Sequence, residues 1–226
     1  MQAVILAAGE GTRMRPLTYD RPKPLLQVGG VPLLQHTFEA LPDSVDEVIV
    51  TVKYKEEMIR AFLGDEYAGR RVRCVQQPSL DGTYGALAAA RPFLIHDRFL
   101  VLMADDIYAR SDIERLVLED TAMLLYTTDT SADVGSIVVE NGFVTGITES
   151  GALRGAGIVN TGAYVLTHQI FSVDPVPKAF GSSEFGLPQT MLQAYPRQVR
   201  ACYAHVWMQM NRPEDIDTAT AVLRAR

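Results

Sequence analysis

Residues 1–34 have the sequence MQAVILAAGEGTRMRPLTYDRPKPLLQVGGVPLL, and this stretch decides the fold. It opens on a short apolar run, residues 3–8, that glycine follows at once, which predicts a fully buried strand. The next residues, 9–13 (GEGTR), predict a turn, because glycine accepts positive φ and has no Cβ to keep a ligand away. The strand and the turn together predict a loop whose backbone a ligand can approach closely.

Two basic side chains follow this turn. Arg13 carries a planar guanidinium that suits phosphate oxygens, and the successive N–H groups of the turn can form a concave anion site. Ten residues later, Lys23 lies between Pro22 and Pro24, which hold its segment extended and stiff. A strand, a glycine turn, a guanidinium and a braced lysine predict a triphosphate site, although the turn alone is also compatible with an ordinary connection. Neither a P-loop nor a complete dinucleotide fingerprint is present in the sequence.

The composition limits the class of protein. With 226 residues, of which 47% are hydrophobic, the chain can form one sizeable core, and we expect a single domain. The net charge of −6 argues against a general binder of nucleic acid or membranes. Cys74 and Cys202 lie far apart in apolar runs, which predicts buried free thiols and no zinc or disulfide framework. We expect no leader or membrane segment and a cytoplasmic protein.

Hydrophobic periodicity predicts an α/β framework. Buried strands are predicted at Glu47–Val52 and at residues 72–76, 99–104, 122–127 and 158–166, with a hairpin of 134–140 and 143–149 and a long strand at 198–210. Helices are predicted at residues 31–41, 55–63 and 111–119 and beginning at Thr83 and Pro213. This alternation implies right-handed crossovers and a mostly parallel sheet that is covered by helices on both faces.

The stretches LAAGEGTRMRPLT (residues 6–18) and RPKPLLQVGGVPLL (residues 21–34) resemble the signature of the sugar-1-phosphate nucleotidylyltransferases, the NDP-sugar pyrophosphorylase family. The resemblance implies a three-layer α/β/α Rossmann-like fold, the nucleotide-diphospho-sugar transferase fold, with a small antiparallel sheet on the sugar side. It implies that residues 1–120 mainly bind nucleotide and residues 121–226 mainly bind sugar phosphate. Arg13 would hold the β,γ-phosphates and Lys23 would lie near the α-phosphate. The other implied nucleotide contacts in this stretch are Ala7, Ala8, Gly9, Gly11 and Thr12.

A second loop, residues 76–87 (QQPSLDGTYGAL), joins a predicted strand to a helix of small residues for which Thr83 is the predicted N-cap. Ligands of open α/β sheets bind outside the carboxyl ends of the strands, so this loop is expected to face the glycine turn. A plain connecting loop remains the alternative. The resemblance, which is greatest to the thymidylyl- and uridylyltransferase branches, implies that Gln77 bonds a pyrimidine edge and that Gly82 and Thr83 contact the nucleotide. UTP or dTTP is therefore the expected nucleotide.

The strand predicted at residues 99–104 runs directly into Asp105 and Asp106. A carboxylate at the end of a central parallel strand should face the cleft, where Mg²⁺ is commonly bound between carboxylates and phosphates. An N-cap of the following turn is the alternative role for Asp105. The stretch LMADDIY, residues 102–108, resembles the family's Gly-Asp metal motif, with Ala104 in place of the glycine. By this resemblance Asp105 is the metal ligand, Asp106 is a weaker candidate, and Mg²⁺ is the cofactor.

The acceptor contacts also come from the resemblance. Residues 159–166, VNTGAYVL, are similar to the segment that contacts the sugar, which implies Asn160 and Gly162. Ser183-Glu184-Phe185 resembles the helix start whose glutamate binds sugar hydroxyls, which implies a helix beginning at Ser183 and a sugar contact by Glu184. Tyr84 completes the sugar-phosphate candidates. The alternatives are a β-bulge at Asn160–Gly162 and a first-turn acid at Glu184 that the helix dipole favours.

The sequence departs from the family pattern at two places. Gln209 stands where the second metal-binding aspartate is usual, so Gln209 or Asn211 is the candidate for the second metal oxygen. Residues 149–151 are Glu-Ser-Gly instead of Glu-Lys-Pro, so Ser150 replaces the lysine expected to hold the sugar phosphate, and Arg154 is a nearby substitute. Both departures concern charge around phosphate groups.

The implied reaction is nucleotidyl transfer, in which a sugar 1-phosphate oxygen attacks the α-phosphorus of a nucleoside triphosphate and pyrophosphate leaves. Arg13, Lys23 and Asp105 are the predicted catalytic residues. Two alternatives stay open: another small phosphate acceptor of the phosphocholine type, and a nucleotide-binding subunit without chemistry. We expect no fused acyltransferase, since no repeat-rich extension follows the last predicted helix. The sequence leaves the oligomeric state open, a homo-oligomer included.

Overall fold

The computed structural model describes residues 1–129, 135–148 and 155–224. These residues form a ten-stranded sheet, two small two-stranded sheets and six α-helices. The strands are β1 (Gln2–Ala7), β2 (Gln27–Val28), β3 (Val31–Pro32), β4 (Glu47–Val52), β5 (Glu66–Tyr67), β6 (Arg70–Gln76), β7 (Arg98–Met103), β8 (Asp106–Tyr108), β9 (Ala122–Thr128), β10 (Ser136–Glu140), β11 (Phe143–Thr148), β12 (Gly157–Thr167), β13 (Arg200–Tyr203) and β14 (Trp207–Gln209). The helices are α1 (Leu33–Glu39), α2 (Glu56–Leu63), α3 (Thr83–Ala90), α4 (Arg110–Leu116), α5 (Leu187–Ala194) and α6 (Pro213–Arg224).

The amino-terminal half of the large sheet is parallel. Its strands run in the order β7-β1-β4-β6, and Ile5 of the central strand β1 aligns with Val50 on one side and Leu102 on the other. All six residues of β1 are buried, which agrees with the buried strand predicted from its unbroken apolar run. The carboxyl ends of these parallel strands therefore meet at one edge of the sheet.

Helices cover both faces of the large sheet. Alternate residues of β1 enter different cores: Ile5 packs in the core that contains α1, α2 and α4, whereas Val4 and Leu6 pack in the core that contains α3 and α5. This alternation follows from the two-residue period of a strand. The predicted three-layer α/β/α architecture is confirmed.

The carboxy-terminal half of the sheet is mostly antiparallel. Strand β12 pairs antiparallel with both β7 and β9, and the predicted hairpin forms as β10 and β11. These strands continue the large sheet, while β8 and β14 form a separate small antiparallel sheet. Parallel pairing therefore dominates only the first half of the chain.

A third apolar core lies behind the loops that follow β1 and β7. It contains Met14, Leu26 and Ile107, which come directly after or near the predicted catalytic positions, and Ala219 of the last helix. Helix α6 is also held to the loop after β2 by a hydrogen bond from Gly29 N to Thr220 Oγ1 (3.0 Å). This core anchors the loops that carry the predicted catalytic positions, and its member Met14 also lines the cavity described below.

Two helix boundaries and the burial of the two cysteines differ from the sequence prediction. The helix predicted at 31–41 begins only at Leu33, because Val31–Pro32 pairs with β2, and Pro32 is its N-cap. The helix predicted at 111–119 spans Arg110–Leu116. Cys74 and Cys202 are free thiols as predicted but only half-buried, and burial raises the pKa of both.

The single strand predicted at 198–210 is wrong. It is two short strands, β13 and β14, that belong to different sheets. His205 and Val206 lie between the two strands. The fully buried carboxylate of Asp112 accepts hydrogen bonds from their backbone N–H groups, at 2.7 Å and 3.1 Å. These amides are therefore bonded to a side chain of α4 and cannot continue a strand ladder.

Candidate active site

A cavity of about 970 Å³ opens at the carboxyl ends of β1, β6 and β7. Its wall contains residues of both halves of the chain, which is where the topology of an open α/β sheet places ligands. The predicted site residues on this wall are Ala7, Ala8, Gly9, Gly11, Thr12, Arg13, Lys23, Gln77, Gly82, Thr83, Asp105, Asn160, Gly162, Glu184, Gln209 and Asn211. Arg13, Lys23 and Asp105 therefore share one cavity.

Tyr84 is not among the residues that line this cavity. Its ring lies near Phe171, with ring centroids 6.5 Å apart, and it packs against the core beneath α3 and α5. The structure thus gives no support to Tyr84 as a sugar-phosphate contact. The predicted departure at Ser150 and the substitute Arg154 lie outside the described residues.

The two glycines of the first loop have different roles. Gly11 has φ +63°, and a Cβ on it would lie 2.9 Å from Cβ of Lys23, so a larger residue would displace the lysine. Gly9 does not have positive φ, and a Cβ on it would meet no protein atom within 4 Å. Gly11 therefore permits close packing within the protein, whereas Gly9 leaves open space on the cavity side.

The catalytic lysine candidate is already paired. Lys23 is only 7% exposed, and its Nζ lies 2.5 Å from Oδ2 of Asp105. Arg13 is exposed, and it lies on a short 3₁₀ turn, Thr12–Met14, whose buried residue Met14 anchors it. One cation is thus buried and fixed, and the other reaches into the cavity from an anchored turn.

The two adjacent carboxylates lie in different environments. The Asp105 side chain is 33% exposed, whereas Asp106 is buried and accepts a hydrogen bond from Nε1 of Trp207 (3.1 Å). Burial, with a smaller effect from the nearby charge of Asp105, raises the pKa of Asp106 to about 8. Gln209 is the Cα partner of Asp106 in the β8–β14 pair. A cation near these carboxylates would favour the charged form of Asp106.

The donor set is small. Among the described residues, no group of three or more His, Cys, Asp or Glu side chains could hold a metal. Two neighbouring carboxylates and a nearby amide nevertheless fit Mg²⁺, which usually takes one or two protein carboxylates and completes its shell with phosphates and water. Asn211, which is 8% exposed, lies on the same wall.

The second loop is closely packed against the acceptor half of the chain. The side-chain amide of Gln77, which is 2% exposed, donates to Oδ1 of Asp81 (2.8 Å). Gly82 has φ +98°, and a Cβ on it would lie 2.4 Å from the carbonyl oxygen of Phe185. Gly82, rather than Thr83, is the N-cap of α3, and the Thr83 hydroxyl instead accepts the N–H of Leu187 (2.9 Å).

The β-bulge that was the alternative to a sugar contact at Asn160–Gly162 is present in the structure. The register of β12 against β9 shifts between Asn160 and Ala163. Asn160 holds this irregularity by accepting the N–H of Gly162 (2.9 Å) and donating to the hydroxyl of Tyr164 (2.6 Å). Because Asn160 and Gly162 also line the cavity, the bulge directs this part of β12 toward the site.

The helix predicted to begin at Ser183 begins instead at Leu187. Glu184 lies before it, on a hairpin whose arms pair Lys178 N with Glu184 O at 2.8 Å. Its interpretation as a first-turn acid is therefore wrong, but its place on the cavity wall agrees with the predicted site. Lys178 also lines the cavity and was missed, because only the turn signal Phe180-Gly181-Ser182 marks this hairpin in the sequence.

The chain is similar to known proteins over most of its length. The family model described as nucleotidyl transferase matches residues 2–208. The UTP–glucose-1-phosphate uridylyltransferase AglF of Haloferax volcanii is 31% identical over 231 residues, which cover 97% of this chain and 95% of AglF. The D-glycero-alpha-D-manno-heptose 1-phosphate guanylyltransferase of Campylobacter jejuni is 27% identical over 95% of this chain and 96% of that protein.

One further relative matches over only part of its own length, and a solved structure is similar in fold. The bifunctional protein GlmU of Methanocaldococcus jannaschii is 32% identical over 76% of this chain, and the matched region spans only 41% of GlmU. A solved structure of a glucose-1-phosphate thymidylyltransferase from Bacillus anthracis, described as putative, matches with a TM-score of 0.84 and 22% identity over 100% of this chain and 96% of that chain. None of the helices in the described residues has the length and apolar content needed to cross a bilayer.

Proposed function

The chain belongs to the nucleotidyl transferase family, and on that premise we propose that it condenses a nucleoside triphosphate with a sugar 1-phosphate. The products are a nucleoside-diphosphate sugar and pyrophosphate. The observation that carries this proposal is the single cavity that brings Arg13, Lys23 and Asp105 together with Asn160 and Glu184 of the other half. Each substrate would therefore bind against one wall of the same cavity.

The first loop binds the departing pyrophosphate in this proposal. The backbone N–H groups of residues 9–12 and the guanidinium of Arg13 supply donors for the β- and γ-phosphates. The open space beside Gly9, where a Cβ would meet no protein atom, supports a close approach of the phosphates to the backbone. Donors that are fixed before the reaction stabilise the charge that develops on the leaving group.

Lys23 acts at the reacting phosphorus. The acceptor's phosphate oxygen forms a bond to the α-phosphorus, and the bond from that phosphorus to the bridging oxygen of pyrophosphate breaks. The ammonium of Lys23, which is paired with Asp105 in this structure, donates to the α-phosphate as negative charge grows there. Positioning and charge neutralisation account for most of the acceleration of such transfers, so no covalent intermediate with the protein is required.

Asp105 and Asp106 would hold Mg²⁺, with an amide oxygen of Gln209 or Asn211 as a further ligand. When bound, Mg²⁺ neutralises phosphate charge and orients the phosphoryl oxygens. Burial raises the pKa of Asp106 to about 8, and a bound cation would stabilise the ionised form of this carboxylate. The amide in place of the family's usual second metal-binding aspartate lowers the charge of the site by one unit and should weaken the binding of the metal.

The nucleotide is proposed to be UTP or dTTP. The side-chain amide of Gln77 offers both a donor and an acceptor, as the imide edge of uracil or thymine requires. In this structure its donor is bonded to Asp81, so base binding must exchange that partner or use the amide oxygen. The similarity to AglF, whose name specifies UTP, supports this choice, while the guanylyltransferase of Campylobacter jejuni makes GTP the competitor to test.

The direct test is pyrophosphate release with each of UTP, dTTP, CTP, ATP and GTP against a panel of sugar 1-phosphates and phosphocholine. We expect turnover only when a nucleotide and a sugar 1-phosphate are both present, and the highest rate with a pyrimidine nucleotide. Turnover with phosphocholine alone among the acceptors would support the alternative acceptor class. No turnover with any pair, combined with thermal stabilisation by nucleotide, would indicate a nucleotide-binding subunit.

A further inference from the structure

A hairpin at the rim of the cavity, residues 176–186, carries a cation that the proposed mechanism does not use. Its arms are joined by backbone hydrogen bonds from Lys178 N to Glu184 O (2.8 Å) and from Gly186 N to Val176 O (2.9 Å). Residues that lie opposite each other on two antiparallel arms project their side chains on the same side. The hairpin therefore presents Lys178 and Glu184 together, and both line the cavity.

The two side chains form a loose ion pair. Nζ of Lys178 lies 3.8 Å from Oε2 of Glu184, and the side chains are 50% and 51% exposed. Such exposed pairs contribute little to stability, so the ammonium can take another anionic partner at little cost. An ammonium group has three donors, and it can keep Glu184 while it binds a further oxygen.

Lys178 is the one cation on the acceptor wall within the described residues. The other cations that line the cavity, Arg13 and Lys23, belong to the amino-terminal loops, and Lys23 is already paired with Asp105. A phosphate monoester carries a charge of about −1.5 to −2 at neutral pH. A phosphate that binds at the rim loses part of its hydration, and a nearby ammonium offsets that loss.

We propose that Lys178 binds the phosphate of the acceptor, while Glu184 accepts hydrogen bonds from hydroxyl groups of the same molecule. This inference rests on the proposed function and refines it by naming the residue that recognises the acceptor phosphate. The hairpin backbone sets the spacing of the two groups, so one residue pair recognises two parts of a sugar phosphate. Lys178 then affects acceptor binding and leaves nucleotide binding to the opposite wall.

The test compares Lys178→Ala, Lys178→Arg and the unaltered protein in steady-state pyrophosphate release, with the nucleotide and sugar 1-phosphate that give the highest turnover. Loss of a hydrogen-bonded cation should raise the KM for the sugar 1-phosphate about 10- to 100-fold. The KM for the nucleotide should stay within about twofold, and Lys178→Arg should recover most of the acceptor affinity, because it restores the charge. The control is Arg71→Ala, which removes an equally charged, 72% exposed side chain and should leave both KM values unchanged.

A second measurement keeps the result clear if Lys178→Ala is too slow for kinetics. Inorganic phosphate should compete with the sugar 1-phosphate in the unaltered protein, and calorimetry should show that the variant loses affinity for the sugar 1-phosphate by at least tenfold. An acceptor affinity within twofold of the unaltered value in a folded Lys178→Ala variant overturns this inference and leaves the proposed function standing. Failure of the unaltered protein to use or bind any phosphorylated acceptor overturns both.

Discussion

The two walls of the cavity differ in how firmly they hold their cations. Lys23 is 7% exposed, its Cβ packs against Gly11 and its ammonium is paired with Asp105. Lys178 is half exposed, and its ammonium forms a loose pair with Glu184 on a rim hairpin. The fixed wall suits a group that must be in place when charge develops at the α-phosphorus, and the loose wall suits recognition of an incoming acceptor. The difference predicts that the two lysines affect different kinetic constants.

The largest expected effect is that of Lys23→Ala. Removing a pre-positioned donor at the reacting group should lower kcat by about 10²- to 10³-fold. The KM for the nucleotide should rise by a smaller factor, whereas Lys178→Ala should act mainly on the KM for the acceptor. Pyrophosphate release under saturating substrates provides the measurement, with thermal unfolding to verify that the variant is folded. A kcat within threefold of the unaltered value would remove Lys23 from the chemistry and erase the contrast between the walls.

Alanine substitutions at Gly11 and Gly9 test whether packing holds Lys23 in place on the amino-terminal wall. Gly11→Ala places a Cβ against Lys23 at positive φ and should reduce the free energy of unfolding by about 1–3 kcal/mol. Gly9→Ala meets no protein atom and should change it by less than about 0.5 kcal/mol, yet weaken nucleotide binding because its methyl group enters the cavity. Urea unfolding and nucleotide titration of both variants would check this. Equal losses of stability in the two variants would contradict the packing role given to Gly11.

We expect the titration of Asp106 to make the stability of the protein depend on pH when a chelator has removed any metal. Its folded pKa of about 8 lies above the ordinary aspartate value of 3.8, so between these pH values the folded state keeps a proton that the unfolded state loses. Stability from this group is therefore fully present below about pH 4 and falls as the pH rises toward 8, by at most about 1.4 kcal/mol per pH unit. Asp106→Asn should flatten this decline in chemical unfolding measured from pH 5 to 8. Parallel curves for the two proteins would show that Asp106 does not bind this proton.

The smallest expected effect concerns the amide opposite Asp106. Gln209→Asp adds a carboxylate near the proposed metal ligands and should lower the Mg²⁺ concentration needed for half-maximal activity by about tenfold. Gln209→Glu provides a control, since it adds the same charge on a longer side chain. A magnesium titration that does not change in either variant would show that Gln209 is not near the ion.

Local sequence signals were sufficient where neighbours in the chain determine the structure. The buried run of β1, the glycine turn and the Asp105-Asp106 pair at the end of β7 each follow from a few adjacent residues. Strand order then brings their carboxyl ends together, so the shared cavity could be inferred from the α/β class. The roles given to these residues remain predictions.

Long-range contacts explain what the sequence did not predict. The break between β13 and β14 depends on the buried carboxylate of Asp112, which lies more than 90 residues away in the chain. Lys178 reaches the cavity because a hairpin forms ahead of α5, and neither its charge nor its neighbours indicate that position. Contacts of this kind depend on the assembled fold and leave little periodic signal in the sequence.

The most direct test of the central claim is a crystal structure with Mg²⁺ and a non-hydrolysable analogue of the nucleotide that gives the highest turnover. We expect the triphosphate to lie between Arg13 and Lys23, with the metal within coordination distance of Asp105. The base should contact the loop that contains Gln77. A nucleotide bound outside this cavity, or a metal away from both aspartates, would contradict the account.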